Sequence, residues 1–556
     1  MGCRRSAQVP GQGVRLDLNR RTSGARTITR MHVHALGDRA AAVPYLVYGD
    51  AGERTTMAQT VDSSQQTREG DTRFASLDPR TGEVVGYHQV DDEVAVRAAV
   101  IRAREAAAWW GGLGFTQRRR RLLSWCSALT REIDELAGLI SAETGKPRDD
   151  ARLECVLVVA HLDWAARNAE RVLRRRRVGS GLLMLQEAAT VEYQPYGVIG
   201  VIGPWNYPAH TPMGSIGYAL AVGNAVVFKP SELTPGVGRA LAESLARVVP
   251  QFPLLQVVTG FGETGTALCR AGVDKLAFTG SSSTAKKVMA TCAETLTPVV
   301  LECGGKDALL VDADANLAAA ADAAVWGAMA NAGQACVGVE RVYVVDAVAQ
   351  EFTEQVVAQA RRLRTGGEPS ADLGPITRLA QIEVIRDHLA DALARGGTAV
   401  VGGAESVRPP YVEPVVLADV PETSIAVTEE TFGPTLTIHR VANLDDAVAR
   451  VNAGRYGLGA AVFSGRRGAE IAGRLRCGMV AVNSVVSYAA VPALPFGGVG
   501  DSGFGRIHGA EGLREFTRAK AVTRRQFRPA VPVLTFARPA WAIRLLLRIV
   551  RVRYGR

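Results

Sequence analysis

Apolar residues recur every three to four positions over 91–110, where Val94, Val96, Ala99, Val100 and Ala103 share one stripe, and this spacing predicts an amphipathic helix. Two further helices are expected over 117–143, stopping at Gly145-Lys146-Pro147, and over 149–173. Before them, Asp78-Pro79-Arg80-Thr81-Gly82 marks a turn between short strand-like runs within 73–90. From Val191 the texture changes. Short apolar runs at 198–202, 225–228, 256–259, 275–279 and 299–301 alternate with helical stretches. A second such series follows Cys336, at 342–345, 399–401, 436–439, 460–463 and 479–483. Strands alternating with helices argue for parallel, doubly wound sheets, and two series argue for two α/β lobes.

Residues 193–228 carry no charge, but Pro195, Pro204, Pro208 and Pro212 with Asn206 and Asn224 break the stretch. It therefore reads as buried strand–loop–helix–strand rather than a membrane span. Composition agrees with a globular enzyme: of 556 residues 47% are hydrophobic, 22% charged and only 6% aromatic, with 58 glycines. The net charge of +10 belongs to the ends. Residues 1–60 balance at +5, residues 523–556 hold nine Arg and no acid, and the body is mildly acidic. The inner runs Arg118–Arg121 and Arg174–Arg177 lack aromatic interleaving, so they read as solvated helix faces, and no nucleic-acid partner is expected. The leader 1–60 matches a myristoylation pattern at Gly2 and Ser6 but has no secretory apolar core, and is expected to lack regular structure. At the other end, Arg544, Arg548 and Arg551 form one helical stripe among Trp541, Ile543, Leu545, Leu546, Leu547, Ile549 and Val550. That pattern suits a helix lying on an anionic membrane surface, or packed on a protein surface.

Eight dispersed cysteines without a C-x-x-C exclude a disulfide framework or a zinc ribbon and direct attention to one reactive thiol. The eight histidines show no metal-ligand spacing, and no metal is expected. Gly260-Phe261-Gly262-Glu263-Thr264-Gly265 is a G-x-G-x-x-G after a strand, yet the next strand ends at Phe278-Thr279-Gly280-Ser281 without the acid of a dinucleotide fingerprint. Four other signals converge. Asn331-Ala332-Gly333-Gln334-Ala335-Cys336 sets a thiol after a small-residue turn, and Leu301-Glu302-Cys303-Gly304-Gly305-Lys306 sets a carboxylate at a strand end. Pro204-Trp205-Asn206-Tyr207-Pro208 displays one amide on a rigid loop, and Glu429-Glu430-Thr431-Phe432-Gly433-Pro434 pairs carboxylate with aromatic on a turn. Taken singly, each has a bland account: a buried small hydrophobe, a salt-bridge partner, a turn cap.

Together with Lys229-Pro230-Ser231-Glu232 and Pro495-Phe496-Gly497-Gly498, these motifs occur in the order and spacing of the aldehyde dehydrogenase superfamily, which the chain resembles from about Asp78 to Lys520. The bacterial branches near the class 3 and fatty-aldehyde enzymes are the most similar. The resemblance implies an NAD(P)-dependent oxidation of an aldehyde to the carboxylic acid. Cys336 would be the nucleophile, its thiolate favoured by the positive charge of the oxidised nicotinamide. Asn206 and the Cys336 N–H would hold the oxyanion, and Glu302 would activate the water that hydrolyses the thioester. Cofactor contacts would fall at Trp205, Lys229, Ser231, Glu232, Gly262, Gly280, Ser281, Glu430 and Phe432. The carboxylate of Glu232 favours NAD over NADP. The substrate tunnel would be lined by Tyr207, Ala335, Val337 and Asn483, small and apolar around the nucleophile, which favours an apolar aldehyde.

The same resemblance divides the chain. A cofactor-binding domain is expected over 61–183 and 198–330, a catalytic domain over 331–504, and a small β oligomerisation arm over 184–197 and 505–522. The basic tail 523–556 follows. A homodimer or homotetramer in the cytoplasm, peripheral on the membrane if the tail docks there, is the expected setting. Two rivals remain open: a CoA-acylating dehydrogenase, which Glu302 argues against, and an inactive membrane-tethered relative. One departure is visible, since Cys303 stands where the family usually has Leu, either as a small apolar substitute or as a thiol within reach of Cys336.

Overall fold

The computed structural model describes residues 14–23, 26–35, 72–529, 531 and 533–555. Residues 62–556 form one compact unit and 1–61 another. Within the smaller unit, Val14–Ser23 pairs antiparallel with Arg26–Ala35. Val14, Leu16 and Leu18 stand in register with Ala35, Val33 and Met31. The rest of the leader, with the myristoylation pattern at Gly2 and Ser6, lies outside the described residues.

The large unit is built on two sheets. The first has six strands in the order Gly503–Phe504, Val299–Cys303, Lys275–Gly280, Val198–Ile202, Ala225–Lys229 and Leu255–Val257. All pair in parallel except Gly503–Phe504. The second has seven strands, ordered Thr398–Val401, Val415–Ala418, Thr435–Val441, Val339–Val345, Asp307–Val311, Gly459–Phe463 and Met479–Val482, with Thr398–Val401 alone antiparallel. The inner strands Ala225–Lys229, Asp307–Val311 and Val339–Val345 are buried along their whole length, as parallel strands covered by helices on both faces require.

Helix Glu93–Gly112 starts where Asp92 accepts a hydrogen bond from Ala95 N at 2.8 Å, and it buries Val96, Ala99, Val100, Ala103 and Trp110. The single helix expected over 117–143 is two, Phe115–Arg131 and Ile133–Thr144, parted at Glu132. Arg118 is not on a solvated face: it is buried and donates to the carbonyls of Leu113 and, at 3.3 Å, Ala221.

The expected division at residue 330 moves. Asp307–Val311 pairs with Val339–Val345 and Gly459–Phe463, and helix Leu317–Met329 packs in the same lobe. The chain crosses between sheets at Gly304–Lys306, three residues after Val299–Cys303 ends, too short a gap for an apolar pattern to mark. The arm also shifts. It comprises Arg176–Val178, Glu187–Pro195 and Thr517–Arg525, whereas Gly503–Phe504 and helix Gly509–Glu515 belong to the first lobe. The tail contains helix Ala540–Tyr554, as its periodicity predicts. Among the described residues no helix is long and apolar enough to cross a membrane.

Candidate active site

Register places several motifs along one edge of the first sheet. Ile202 stands beside Lys229 and Phe278, and Thr279 beside Glu302. The segments leaving these strands (the loop of Trp205 and Asn206, Lys229 itself, the Gly280–Ser281 turn and Glu302) therefore share the carboxyl end of a parallel sheet, where α/β folds bind ligands. Cys336 approaches from the second lobe, on the turn between helix Leu317–Met329 and strand Val339–Val345.

That turn is strained. Asn331, Ala332 and Gly333 are all left-handed, with φ of 54°, 54° and 71°. Gly333 cannot carry a side chain because a Cβ would lie 2.0 Å from the Gly433 carbonyl oxygen. Amides hold the turn: Asn331 Nδ2 donates to Asn206 O at 3.2 Å and Gln334 O at 3.1 Å, and Gln334 Nε2 donates to Asn331 O at 2.9 Å. Asn206 Nδ2 also gives one proton to Gln334 O at 2.9 Å, leaving its second donor for another acceptor. No protein acceptor meets the Cys336 N–H among the described residues.

Glu302 is 3% exposed, and neither carboxyl oxygen has a hydrogen-bond partner among the described residues. Burial pushes its pKa up to about 7, only partly offset by the Cys336 thiol and the Thr279 hydroxyl. In turn, burial and then Glu302, with Glu430 and Asp307 behind it, drive the Cys336 thiol well above its usual range. The protein alone surrounds the sulfur with carboxylates, so the thiol keeps its proton until a base takes it or a cation is seated alongside.

Two buried ion pairs that the sequence reading missed hold the site's loops. Lys146, read only as part of a helix stop, pairs with Glu154 at 2.7 Å and donates to Asn206 O at 2.8 Å. Glu154 accepts from Ala209 N at 2.9 Å and His210 N at 3.0 Å, so the pair clamps both sides of the Asn206 loop. Lys306, in turn, pairs with Glu340, whose carboxylate receives the Thr431 and Phe432 N–H groups at 2.8–3.1 Å and fixes the Glu430–Phe432 turn. Neither partnership leaves a sequence signal, because 8 and 34 residues separate the partners without a shared motif.

Along the sheet edge the residues fit a dinucleotide. Lys229 is buried with a single hydrogen bond, to Pro230 O at 3.1 Å, and stands 3.7 Å from Glu232, so ammonium protons remain free for ribose hydroxyls. Ser231 accepts from Leu233 N at 3.2 Å. Gly262 opens helix Gly262–Arg270, and a Cβ there would meet nothing within 4 Å, while the following Gly265 lies against the Lys229 side chain. Helix Ser282–Ala293, capped by Ser281, points its first N–H groups outward after Gly280, an anion-binding arrangement. Glu430 accepts from Gly305 N at 3.0 Å, and Trp205 meets Phe432 edge to face at 5.6 Å.

Around the thiol, Ala335 and Val337 flank Cys336, and the Tyr207 ring lies under Lys146 Nζ at 4.1 Å. Asn483, the other expected pocket residue, is tied to backbone. Its amide accepts from Ser464 N at 3.0 Å and donates to Ser464 O at 3.1 Å, and so pins a strand end. Cys303 alternates with Glu302 along the strand, is buried with a free thiol, and lies beside Ser282.

A two-lobed α/β chain with thiol, carboxyl and amide converging at a dinucleotide edge is an oxidoreductase in plan. A family model described as the aldehyde dehydrogenase family matches residues 66–522, and the chain belongs to that family. It is 38% identical over 450 residues to a 4,4'-diapolycopene aldehyde oxidase of Methylomonas sp, covering 80% of this chain and 84% of that one. Among solved structures it resembles PnpE of Pseudomonas sp. WBC-3 in complex with nicotinamide adenine dinucleotide, at 31% identity and TM-score 0.78, covering 83% and 96% of the two chains. It also resembles the NADP-dependent glyceraldehyde-3-phosphate dehydrogenase of Bacillus halodurans C-125 complexed with NADP, at 30% identity and TM-score 0.78, covering 82% and 96%. The protein is an NAD(P)-dependent aldehyde dehydrogenase, which oxidises an aldehyde to the carboxylic acid.

Proposed function

We propose that the Cys336 thiol gives up its proton to solvent and its Sγ adds to the aldehyde carbon, and that Glu302, in its ionised form, then deprotonates the water that hydrolyses the resulting thioester. The supporting observation is the buried Glu302 carboxyl with both oxygens unpartnered, facing the Cys336 thiol. The spare Asn206 Nδ2 proton and the Cys336 N–H donate to the oxyanion, a contribution of about 10²–10³ in kcat for one donor. A nicotinamide bound there would supply the hydride acceptor for oxidation of the adduct. Lys229, Ser231 and Glu232 hold the adenosine ribose, Gly262, Gly280 and Ser281 the pyrophosphate, and Glu430, Trp205 and Phe432 the nicotinamide end. Water rather than CoA takes the acyl group, because Glu302 is placed to serve a water.

An apolar aldehyde suits the Ala335–Cys336–Val337 surroundings, and the Methylomonas relative, named for an apolar polyene aldehyde, supports the same class. Turnover across an aldehyde chain-length series, without CoA, tests both statements. Specificity constants should rise with chain length and exceed that for succinic semialdehyde. A requirement for CoA, or a preference for the semialdehyde, overturns them.

NAD is the preferred cofactor, because the Glu232 carboxylate beside Lys229 would repel a 2′-phosphate. Glu232→Ala should shift the NAD to NADP ratio of kcat/KM toward NADP by at least about tenfold, and an unchanged ratio refutes the assignment.

Strand Thr517–Arg525 is exposed over most of its length, an arrangement that fits burial against a second copy of the chain. Helix Ala540–Tyr554 exposes Trp541, Ile543, Leu545 and Leu547 and buries Ala542 alone, on a segment with nine Arg and no acid. This supports contact with an anionic membrane surface. Flotation with anionic vesicles should carry the full chain and leave a chain ending at residue 529 behind. Equal flotation of both rules the tail out.

A further inference from the structure

Three histidines that the mechanism does not use meet inside the first lobe. His161 lies in helix Arg148–Leu173, His210 opens helix His210–Val222, and His508 precedes helix Gly509–Glu515. They are 1%, 9% and 2% exposed. Ring centroids are 4.0 Å apart for His161 and His508, 5.1 Å for His161 and His210, and 5.7 Å for His210 and His508. One nitrogen from each lies within 4.8 Å of the others.

Four of their nitrogens, His161 Nδ1, His210 Nε2 and both of His508, are buried without a hydrogen-bond partner among the described residues. Unmade hydrogen bonds at buried polar atoms are expensive, and four in one cluster call for an occupant. The tautomer of one ring follows from chemistry. His161 Nε2 stands 3.0 Å from the Ala489 carbonyl, which can only accept, so Nε2 carries the proton and Nδ1 turns a bare lone pair to the cluster. A ring nitrogen backed by a carbonyl on its far side is the usual arrangement of a metal-ligating histidine. The walls are apolar or aromatic: Tyr218 and Phe496 lie 5.7 and 5.5 Å from the His508 ring. Gly214 makes room, since a Cβ there would stand 2.4 Å from His508 Nε2, and His508 holds a left-handed φ of 60° to reach the cluster.

We propose that His161, His210 and His508 bind one divalent transition-metal ion of the zinc class, with a water at the fourth position. All-imidazole nitrogen ligation suits Zn²⁺, Co²⁺, Ni²⁺ or Cu²⁺ and not Ca²⁺ or Mg²⁺. With Zn–N bonds of about 2.0–2.1 Å, loading draws the rings inward by about an ångström. The ion joins three segments that sequence separates: the helix of Glu154, the segment just past Asn206 and Tyr207, and the turn whose Gly509 N–H holds Pro492 O at 3.0 Å. Its role is to brace the substrate side of the lobe.

The test uses the full chain without an oligohistidine tag, in a Cys336→Ala background so that the thiol supplies no ligand. After chelator treatment, Co²⁺ should bind at one equivalent with the visible absorption of a nitrogen-liganded ion, Zn²⁺ should displace it, and Zn²⁺ should raise the melting temperature. His161→Gln and His508→Gln should each weaken binding by at least about 100-fold and abolish the rise. Lack of binding, or one equivalent that survives in both variants, overturns the proposal. Anomalous diffraction from Zn²⁺-loaded crystals decides independently of how the variants fold: the ion lies between the three rings, or the proposal fails.

Discussion

Glu302→Gln enzyme gives one burst of reduced cofactor per active site and then turns over about 10²–10⁴-fold more slowly than the native chain. The asymmetry follows from what the carboxyl does to its neighbours. Glutamine cannot deprotonate water, so thioester hydrolysis loses its base. It also removes the nearest charge opposing ionisation of Cys336, so the thiol becomes easier to deprotonate and acylation suffers less. In the native enzyme the base works only when ionised. With its pKa at about 7, kcat should fall about tenfold per pH unit below that value and level off above it. Stability moves the other way. A carboxyl raised from 4.5 to about 7 in the fold favours the folded chain below pH 4.5, and that advantage is lost as pH rises through 7. Replacing it with glutamine should therefore stabilise the protein by about 3 kcal/mol at pH 8 and leave it unchanged at pH 4. Melting curves at the two pH values check the sign. A variant that is less stable at pH 8 contradicts the burial argument.

Cys336→Ala should lower oxidation of every aldehyde by on the order of 10⁴-fold or more, because it removes the sulfur that forms the covalent adduct. The loss should fall on chemistry alone. Cofactor affinity should hold, since the residues assigned to the adenosine ribose and pyrophosphate lie along the first sheet and owe nothing to the sulfur. Removing the thiol also takes away one of the two groups that restrain the Glu302 pKa, so that carboxyl should titrate slightly higher in the variant. Stopped-flow absorbance for reduced cofactor and a fluorescence titration for affinity separate the two effects. Residual turnover within tenfold of native would assign the nucleophile elsewhere.

Much of this architecture was legible from alternation. The apolar run at 198–202 coincides with strand Val198–Ile202, and the helix expected over 149–173 runs from Arg148 to Leu173. What alternation cannot show is a boundary without a polar gap. Asp307–Val311 follows Val299–Cys303 after three residues yet enters the other sheet. The motif residues Cys336, Glu302 and Asn206 come together in the fold, whereas Asn483 is tied to Ser464. The supporting pairs Lys146–Glu154 and Lys306–Glu340 were invisible because a buried ion pair is a tertiary event, with no period or spacing of its own. The three histidines make the same point more strongly. Positions 161, 210 and 508 share no motif, and only folding brings their nitrogens within 4.8 Å.

The pairing of sulfur and carboxyl is tested most directly by mass spectrometry of the Glu302→Gln protein quenched after mixing with aldehyde and oxidised cofactor. The peptide containing Cys336 should carry the acyl group of the substrate at close to one per chain, and hydroxylamine should remove it. An unmodified Cys336, or an acyl group on another residue, would contradict the account.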